Sequence, residues 1–122
     1  MSRTILAVDD SATMLQTISI ALENAGHKVI TAKNGMEALE RLKGADKFHA
    51  IITDINMPEM DGITLTAEIR KHLQYRFTPI IVLTTESQMQ KKDEGKKAGA
   101  TGWIIKPFKP EQLVEVIRKV CP

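Results

Sequence analysis

The sequence predicts an α/β fold in which helices cover both faces of one parallel sheet. Five short apolar runs alternate with amphipathic helical segments along the chain. Strands that are separated by helices favour parallel pairing through right-handed crossovers. The runs "AIIT" from position 50 and "IIVL" from position 80 are apolar throughout, as in central strands buried on both faces. These observations indicate five βα units in a doubly wound arrangement.

The strands are short and recur at regular intervals. We predict them at Thr4–Val8, Lys28–Ala32, Phe48–Thr53, Pro79–Leu83 and Gly102–Ile105. The helices between them are marked by apolar residues three and four positions apart. These residues are Leu15, Ile18 and Leu22; Leu39 and Leu42; Leu65, Ile69 and Leu73; and Leu113, Ile117 and Val120. Gly26 and Gly44 are helix stops, and Pro110 marks the start of the last helix.

The fourth helix, predicted over Gln88–Ala98, has the weakest pattern. It has little apolar stripe, several lysines and an internal glycine, Gly95. A glycine inside a helix is less favourable than alanine by about 0.5–1 kcal/mol. Two interpretations remain open: a solvated surface helix, or an element of low stability that takes two arrangements.

Composition limits the class of protein. From 122 residues we expect a single domain over positions 1–122, with no output domain after the last helix stripe. The net charge of +2 and the aromatic content of 4% argue against a nucleic-acid partner. Cys121 is the only cysteine, which excludes an intramolecular disulfide or a cysteine zinc cluster. Neither a signal peptide nor a membrane span is recognisable, so we expect a cytoplasmic protein without membrane contact. We also expect a monomer.

The candidate site lies where the predicted strands end. The residues there are Asp9 and Asp10 after the first strand, Asp54 after the third, Thr84 and Thr85 after the fourth, and Lys106 after the fifth. Because open α/β sheets bind ligands at the carboxyl ends of their strands, we expect these side chains to converge. Three crowded carboxylates repel each other, and Mg²⁺, which prefers oxygen ligands, relieves that repulsion. The sequence therefore predicts a Mg²⁺ site and phosphoryl chemistry.

Asp54 is the candidate nucleophile, because it stands alone at the end of a central strand. Asp9 and Asp10 are adjacent and would point to opposite faces of their strand. A carboxylate can accept a phosphoryl group and form an aspartyl phosphate. The metal, the Lys106 ammonium and the Thr84 hydroxyl could each stabilise one phosphoryl oxygen.

Some candidate residues also have ordinary structural interpretations. Asp10 or the following residue, Ser11, could simply be a helix N-cap, and that role is compatible with a role in the site. The histidines are scattered without metal-ligand spacing, and we interpret them as non-catalytic. They are His27, His49 and His72. We expect Cys121 to be inert.

Four short motifs occur in a fixed order: "VDDS" (8–11), "DINMPEMDG" (54–62), "LTTE" (83–86) and "KPF" (106–108). Together they resemble the receiver domain of two-component response regulators, and the chain is similar to the single-domain CheY type. The resemblance covers essentially the whole chain. It implies a flavodoxin-like (βα)₅ fold with a five-stranded parallel sheet. The expected strand order, 2-1-3-4-5, comes from the family and not from the sequence pattern.

The resemblance also implies residue roles. Asp54 would be the phosphoacceptor and a metal ligand, Asp10 would bind Mg²⁺ directly, Asp9 would bind it through water, and Asn56 would offer its backbone carbonyl. Thr84 would contact the phosphoryl group and move with it, and Lys106 would pair with the phosphate. The Lys106–Pro107 peptide bond would be cis. A sensor histidine kinase would be the phosphodonor, and a downstream target would bind the face of helix 4, strand 5 and helix 5. A phosphatase is a further expected partner.

Two positions depart from the family pattern. The switch aromatic, commonly Tyr or Phe, is here Trp103, which either acts as the switch or packs at the rim of the domain. Thr85 follows the switch threonine where the family usually has Ala or Gly, and our hypothesis is that it slows attack on the phosphoryl group. Asn56 and Glu86 occupy positions that tune phosphoryl lifetime in the family, although by sequence alone they are solvated turn residues.

These features predict a phosphoacceptor that assists its own phosphorylation and dephosphorylation, and not a classical enzyme. The first expectation is a stand-alone chemotaxis regulator that binds a flagellar motor switch. Alternatives are a phosphorelay shuttle, a phosphate sink, or a receiver domain excised from a longer regulator. A phosphatase of the haloacid dehalogenase type would need an acid where Asn56 stands. A flavodoxin-type FMN carrier would meet repulsion between the phosphate of FMN and "DDSAT" (9–13).

Overall fold

The elements alternate between strands and helices as the sequence predicts. The computed structural model describes residues 3–44 and 47–121, apart from the side chains of Glu86, Met89 and Gln90. In chain order the elements are β1 (Thr4–Val8), α1 (Ala12–Asn24), β2 (Lys28–Ala32), α2 (Gly35–Leu42), β3 (Ala50–Asp54), α3 (Gly62–Arg70), a 3₁₀ turn (Leu73–Tyr75), β4 (Ile80–Thr85), a 3₁₀ helix (Glu86–Lys91), α4 (Lys92–Ala98), β5 (Gly102–Lys106) and α5 (Pro110–Val120).

The strands form one parallel sheet in the order β2-β1-β3-β4-β5. The predicted fold class and strand order are therefore confirmed. Val8 lies opposite Thr53 in the β1–β3 pair, and Thr85 lies opposite Lys106 in the β4–β5 pair, so the carboxyl ends of these strands meet at one edge. Across the described residues, none of the helices combines the length and the apolar character needed to cross a membrane.

The hydrophobic core has two layers, one on each face of the sheet. Neighbouring strand residues such as Ile51 and Ile52 point to opposite faces and belong to different layers. One layer packs the sheet against α1 and α5 and includes Ile18, Leu22, Leu113 and Ile117. The other packs it against α2 and α3 and includes Ala38, Leu42, Leu65 and Ile69. Every residue of β3 is buried, as expected for a central strand.

The bounds of three strands differ from the prediction. The third strand is Ala50–Asp54 and not Phe48–Thr53, the fourth is Ile80–Thr85 and not Pro79–Leu83, and the fifth is Gly102–Lys106 and not Gly102–Ile105. Asp54 is thus the last residue of β3. The strands continue past the apolar run because their backbone groups keep pairing with neighbouring strands, whatever the polarity of the side chains.

The predicted third helix stripe is wrong at Leu73. The helix ends at Arg70, and Leu73 is 83% exposed. Tyr75 takes the buried position instead and packs its ring near Phe48, with ring centroids 6.4 Å apart. The Arg70 guanidinium donates to the carbonyls of Tyr75 at 2.8 Å and Thr78 at 2.6 Å. These hydrogen bonds hold the segment after Arg70 in a turn that departs from the axis of the third helix.

The fourth helix is shorter than predicted. Residues Glu86–Lys91 form a 3₁₀ helix, and only Lys92–Ala98 are α-helical. Of the seven residues of α4, all of them described, Gly95 alone is buried. The missing apolar stripe explains the short helix, since tertiary packing of an apolar face supplies most helical stability.

Candidate functional site

Three carboxylates meet at the carboxyl edge of the sheet. Asp9 and Asp10 follow β1, and Asp54 ends the neighbouring strand β3. One oxygen of each lies within 4.8 Å of the others. Asp9 is 1% exposed, Asp54 is 7% exposed, and Asp10 is open to solvent. The fold therefore brings these three predicted residues together.

Asp9 is the most unusual of the three. Its Oδ1 accepts a hydrogen bond from the Ser11 N–H at 2.9 Å, whereas its buried Oδ2 has no hydrogen-bond partner. Burial raises the pKa of the Asp9 carboxyl, the Ser11 N–H opposes that rise, and the nearby Asp54 adds to it. The Lys106 ammonium, 3.6 Å from Oδ2, acts in the lowering direction. A buried carboxylate oxygen that accepts no hydrogen bond from the described residues, beside two other carboxylates, is suited to face a cation.

Lys106 reaches the acidic cluster from the end of β5. Its Nζ donates to Asp54 Oδ1 at 2.7 Å. The ammonium side chain is 21% exposed, so the ion pair is largely shielded from solvent. The Lys106–Pro107 peptide bond is cis.

Thr84 is fully buried at the end of β4. Its hydroxyl donates to the Thr85 carbonyl at 3.2 Å and lies 3.5 Å from Gln88 Oε1. The same Gln88 oxygen accepts from the Thr85 N–H at 3.0 Å, and the Thr85 hydroxyl contacts that of Ser87 at 2.9 Å. The Thr84 hydroxyl therefore bonds within its own segment, at Thr85 and Gln88, whereas the Lys106 ammonium bonds to Asp54 of the acidic cluster. Gln88 was missed by sequence reasoning, which had no signal to separate it from the other polar residues of that segment.

The loop after β3 approaches the acidic cluster closely. Gly62 donates its N–H to the Ile55 carbonyl at 2.9 Å, and a methyl group at Gly62 would overlap the carbonyl of Asp54. Asp61 then caps α3 by accepting from the Thr64 N–H at 2.7 Å. Asn56 is exposed at the start of this loop. The glycine is therefore needed to return the chain past Asp54 into α3.

The first helix has a separate cap. Ser11 accepts from the Met14 N–H at 3.2 Å, so Ser11 and not Asp10 is the N-cap of α1. Asp10 is exposed beside it, with its carboxylate in the acidic cluster. Of the two candidates for the N-cap of α1, Ser11 therefore has that role, and the Asp10 carboxylate remains available to a ligand.

The remaining candidates lie outside the acidic cluster. Trp103 is partly buried on β5, where its indole lies against Gly95 of α4. Trp103, Ile105 and Lys106 help to line an open cleft of about 610 Å³ beside α5. The side chain of Glu86 lies outside the described part of the chain. His27 and His49 lie at the opposite edge of the sheet, just before β2 and β3.

The described site fits a hard divalent cation. It offers three carboxylates within reach of one point, and one of them has a buried oxygen that accepts no hydrogen bond from the described residues. Mg²⁺ is commonly held by one or two carboxylates together with waters and phosphate oxygens. Asp9, Asp10 and Asp54 are the residues that could hold such an ion. The donor set is all oxygen, which disfavours softer metals.

Comparison with curated proteins gives consistent relatives. The chain is 39% identical to the chemotaxis protein CheY homologue of Campylobacter jejuni over 117 residues, which cover 95% of this chain and 90% of that protein. It is 38% identical over 116 residues to the sensor histidine kinase CheAY of Helicobacter pylori. That match covers 94% of this chain but only 14% of the kinase.

Solved structures give the same picture. Chemotaxis response regulator CheY4 of Vibrio cholerae superposes with a TM-score of 0.92 at 46% identity, over 98% of this chain and 99% of that one. The receiver domain of sensor histidine kinase PA1611 from Pseudomonas aeruginosa, solved with a magnesium ion coordinated in its active-site cleft, gives 0.89 at 27% identity, over 99% and 98%. The family model for the response regulator receiver domain matches residues 5–118. Together with the fold and the acidic cluster, this match shows that the chain belongs to the response regulator receiver family.

Proposed function

We propose that this chain is a chemotaxis-type response regulator that accepts a phosphoryl group on Asp54 from a sensor histidine kinase. The observation that carries the proposal is the setting of Asp54. It ends the central strand β3, is 7% exposed, lies beside two further carboxylates and accepts a 2.7 Å hydrogen bond from Lys106. A carboxylate so placed has a cation and a metal site ready for an incoming phosphoryl group.

The transfer itself requires little from the protein beyond positioning. An Asp54 carboxylate oxygen attacks phosphorus, an oxygen–phosphorus bond forms, and the nitrogen–phosphorus bond of the donor phosphohistidine breaks. Mg²⁺, when held by the acidic cluster, supplies positive charge to the phosphoryl oxygens. Lys106 moves its hydrogen bond from the Asp54 carboxylate to a phosphoryl oxygen. Thr84 donates its hydroxyl to another, which requires that it leave the Thr85 carbonyl.

Receivers of this family are phosphoacceptors and not classical enzymes. In this chain we assign self-assisted phosphorylation and hydrolysis to the same group of side chains. Asn56, Thr85 and Glu86 tune how long the phosphoryl group lasts, since Asn56 lies two positions after the acceptor, and Thr85 and Glu86 lie one and two positions after the switch threonine. Asn56 also offers its backbone carbonyl to the metal.

The message passes by protein binding. The phosphodonor is a sensor histidine kinase, and the target binds the face made by α4, β5 and α5. The relatives support a role in chemotaxis, because the CheY homologue and CheY4 are chemotaxis proteins matched over nearly their whole length. We further propose a cytoplasmic monomer that acts on a flagellar motor switch, with a phosphatase to reset it and without nucleic-acid or membrane contact.

A second candidate follows from the match to CheAY. A receiver that resembles part of a kinase can serve as a phosphate sink or shuttle, or as one domain of a longer regulator. The chemistry on Asp54 is then unchanged, but the phosphoryl group drains to water or to another histidine and does not direct binding to a motor protein.

Phosphotransfer followed by a binding assay tests the proposal. A chemotaxis-type histidine kinase is labelled with radioactive phosphate and mixed with wild type, Asp54→Asn or the matched control Asp61→Asn, which alters only the cap of α3. We expect label on wild type and on Asp61→Asn, and none on Asp54→Asn. Label on Asp54→Asn would overturn the site assignment.

The binding assay separates the two candidates. Phosphorylated wild type is passed over an immobilised flagellar motor switch protein, with unphosphorylated wild type as the reference. Retention of the phosphorylated form alone supports the motor-directed regulator. Equal elution of both forms, together with rapid loss of label, would instead favour the phosphate sink.

A further inference from the structure

Two large apolar side chains remain in solvent on the segment between α3 and β4. Leu73 is 83% exposed and Phe77 is 88% exposed, more than any other large apolar side chain of the described residues. Single exposed apolar residues are ordinary on a protein surface, but two of them within one short segment are typical of a contact surface. This segment is therefore a candidate for binding another molecule.

The segment is held in place by hydrogen bonds and is not a loose loop. Arg70 donates to the carbonyl of Tyr75 at 2.8 Å and to that of Thr78 at 2.6 Å, on either side of Phe77 in the sequence. Tyr75, which lies between Leu73 and Phe77, is only 1% exposed and anchors the segment in the core. Because the segment is already ordered, it loses less conformational freedom when a partner binds.

An open cleft of about 630 Å³ adjoins this segment, between the ends of α2 and α3. The buried side chains of Leu42 and Tyr75 line it together with Leu73 and two exposed lysines, Lys43 and Lys71. A volume of this size is typical of clefts that enclose a small ligand, and it can also take side chains of a bound peptide. The cleft thus offers both apolar and positively charged surface to one ligand.

The charge around the cleft is positive. Positions 70–78 read "RKHLQYRFT", with three arginine or lysine residues, one histidine and no acidic residue. The Arg76 guanidinium lies 5.8 Å from the centre of the Phe77 ring, within the range of a cation–π contact. Lys71 forms an ion pair with Glu68 at 2.6 Å, whereas the ion pairs among the described residues do not involve Lys43 or Arg76. Two cations are therefore available to a partner.

We propose that Lys43, Leu73, Arg76 and Phe77, here called the α3–β4 surface, dock an acidic peptide segment of another protein. Apolar side chains of that segment cover Leu73 and Phe77, and its carboxylates face Lys43 and Arg76. Basic side chains beside exposed apolar ones complement a segment that carries both acidic and apolar residues. A lipid surface fits less well, because the cleft is concave and the net charge of the chain is only +2.

The α3–β4 surface lies at the opposite edge of the sheet from the acidic cluster. It precedes β4, whose far end carries Thr84, and a strand of six residues spans roughly 17–20 Å. The surface includes no residue of α4, β5 or α5. Docking here is therefore independent of phosphorylation, so the chain can hold an acidic partner while the phosphoryl group controls binding at the other face.

Fluorescence anisotropy with a defined probe tests the proposal. The probe is a labelled peptide in which leucine and phenylalanine recur every three or four positions among acidic residues, and its control has lysine in place of each acid. We expect wild type to bind only the acidic peptide, and more weakly as the NaCl concentration is raised. Leu73→Ala combined with Phe77→Ala should weaken binding about tenfold, and Lys43→Glu should weaken it several-fold.

Two variants elsewhere on the surface serve as matched controls. Ile20, in α1, is 52% exposed, and Lys119, in α5, is exposed as well. Ile20→Ala and Lys119→Glu should therefore bind the acidic peptide as wild type does. Because every changed position is exposed, Tm should stay nearly unchanged in all the variants. If the combined variant of Leu73 and Phe77 does not fold, Lys43→Glu decides the proposal.

Several results would overturn the docking of an acidic peptide. One is failure of wild type to bind the acidic peptide, and another is equal binding by wild type and the combined variant, or by wild type and Lys43→Glu. Binding to phosphatidylserine vesicles without peptide binding would assign the α3–β4 surface to a membrane. Sedimentation of wild type as a dimer that the combined variant abolishes would assign it to a second copy of this chain.

The independence from phosphorylation is tested on the same probe. The titration is repeated after treatment with Mg²⁺ and acetyl phosphate, and intact mass is measured on each sample. We expect the same affinity with and without the phosphoryl adduct, and a several-fold difference would overturn the independence. The absence of any adduct would contradict only the proposed function, because docking of the peptide requires no phosphorylation.

Discussion

The Lys106 ammonium donates a 2.7 Å hydrogen bond to Oδ1 of Asp54, across a sequence separation of 52 residues. The same ammonium lies 3.6 Å from Asp9 Oδ2. One cation thus partly neutralises two buried carboxylates, at the point where an incoming phosphoryl group would add further negative charge. Its side chain is 21% exposed, so water screens the ion pair only partly. This relationship makes Lys106 the protein's own source of positive charge at the site.

Replacing Lys106 with an uncharged residue of similar length should slow phosphorylation. For Lys106→Met we expect the rate of adduct formation from acetyl phosphate to fall about 100-fold, the scale seen when one preorganised donor to a developing charge is removed. Lys106→Arg keeps the charge and should lose less. The measurement is a time course of intact mass at saturating Mg²⁺. Equal rates for wild type and Lys106→Met would show that the ammonium does not contribute.

Asp9 should link Mg²⁺ binding to stability. At a Mg²⁺ concentration 100 times its Kd, binding to the folded state alone stabilises it by about 2.7 kcal/mol. Burial raises the pKa of Asp9, so its charge is unfavourable in the metal-free protein. Asp9→Asn should therefore raise the urea midpoint without metal and reduce the gain from Mg²⁺. Urea titrations with and without MgCl₂ measure both effects, and an undiminished gain in the variant would contradict the role of Asp9.

Thr85 should lengthen the life of the phosphoryl group. Its hydroxyl lies 2.9 Å from the Ser87 hydroxyl, and its N–H donates to Gln88 at 3.0 Å, so both groups of the residue that follows Thr84 are engaged. Thr85→Ala opens space for water, and we expect dephosphorylation to become several-fold faster. Ser87→Ala removes the hydroxyl partner without opening that space and is the control. The lifetime of the phosphoryl group is measured from the loss of adduct mass over time. Equal lifetimes for wild type and Thr85→Ala would contradict the hypothesis.

His27 should make the fold sensitive to acid. Its Nδ1 accepts from the Arg3 N–H at 3.2 Å, and burial, aided by the charge of Arg3, lowers the pKa of the imidazole. Above the unfolded-state value of about 6.5, His27 is neutral in both states and has no effect. As the pH falls below that value, the unfolded chain takes up the proton first, so stability decreases until the folded-state pKa is passed.

The control for this pH dependence is His27→Asn, which keeps an acceptor near the Nδ1 position but does not titrate. Urea midpoints are measured for both proteins from pH 7.5 downward. We expect wild type to lose more stability than the variant below about pH 6.5. Parallel curves would exclude His27 as a source of the pH dependence.

The fold class was predictable because its signals are local and repeat five times. Apolar runs such as Ile80–Leu83 and stripes such as Leu113 and Ile117 each determine one element, and parallel pairing follows from their alternation. Leu73 was misassigned because its spacing fits the helix stripe. The turn that exposes Leu73 depends on hydrogen bonds from Arg70 to the carbonyls of later residues. Such contacts cannot be predicted from the spacing of apolar residues in the sequence.

The candidate site was predictable only as a set of residues at strand ends. Sequence position brings Asp9, Asp54 and Lys106 to the same edge once the sheet is known. It does not predict the 2.7 Å ion pair, or the buried Asp9 oxygen that accepts no hydrogen bond from the described residues. The reason for a glycine at position 95 could not be predicted from the sequence. By helix propensity Gly95 only weakens the helix, whereas in the structure it lies against the Trp103 ring, a contact that depends on tertiary packing.

The central claim is that Asp54 accepts a phosphoryl group with the help of Mg²⁺, and intact-mass measurement tests it most directly. Wild type, Asp54→Ala and the control Asp61→Ala are incubated with acetyl phosphate, with Mg²⁺ or with EDTA. The predicted result is a single phosphoryl adduct on wild type and Asp61→Ala that requires Mg²⁺ and is absent from Asp54→Ala. An adduct that persists in Asp54→Ala, or no adduct on wild type from acetyl phosphate or a phosphorylated histidine kinase, would contradict it.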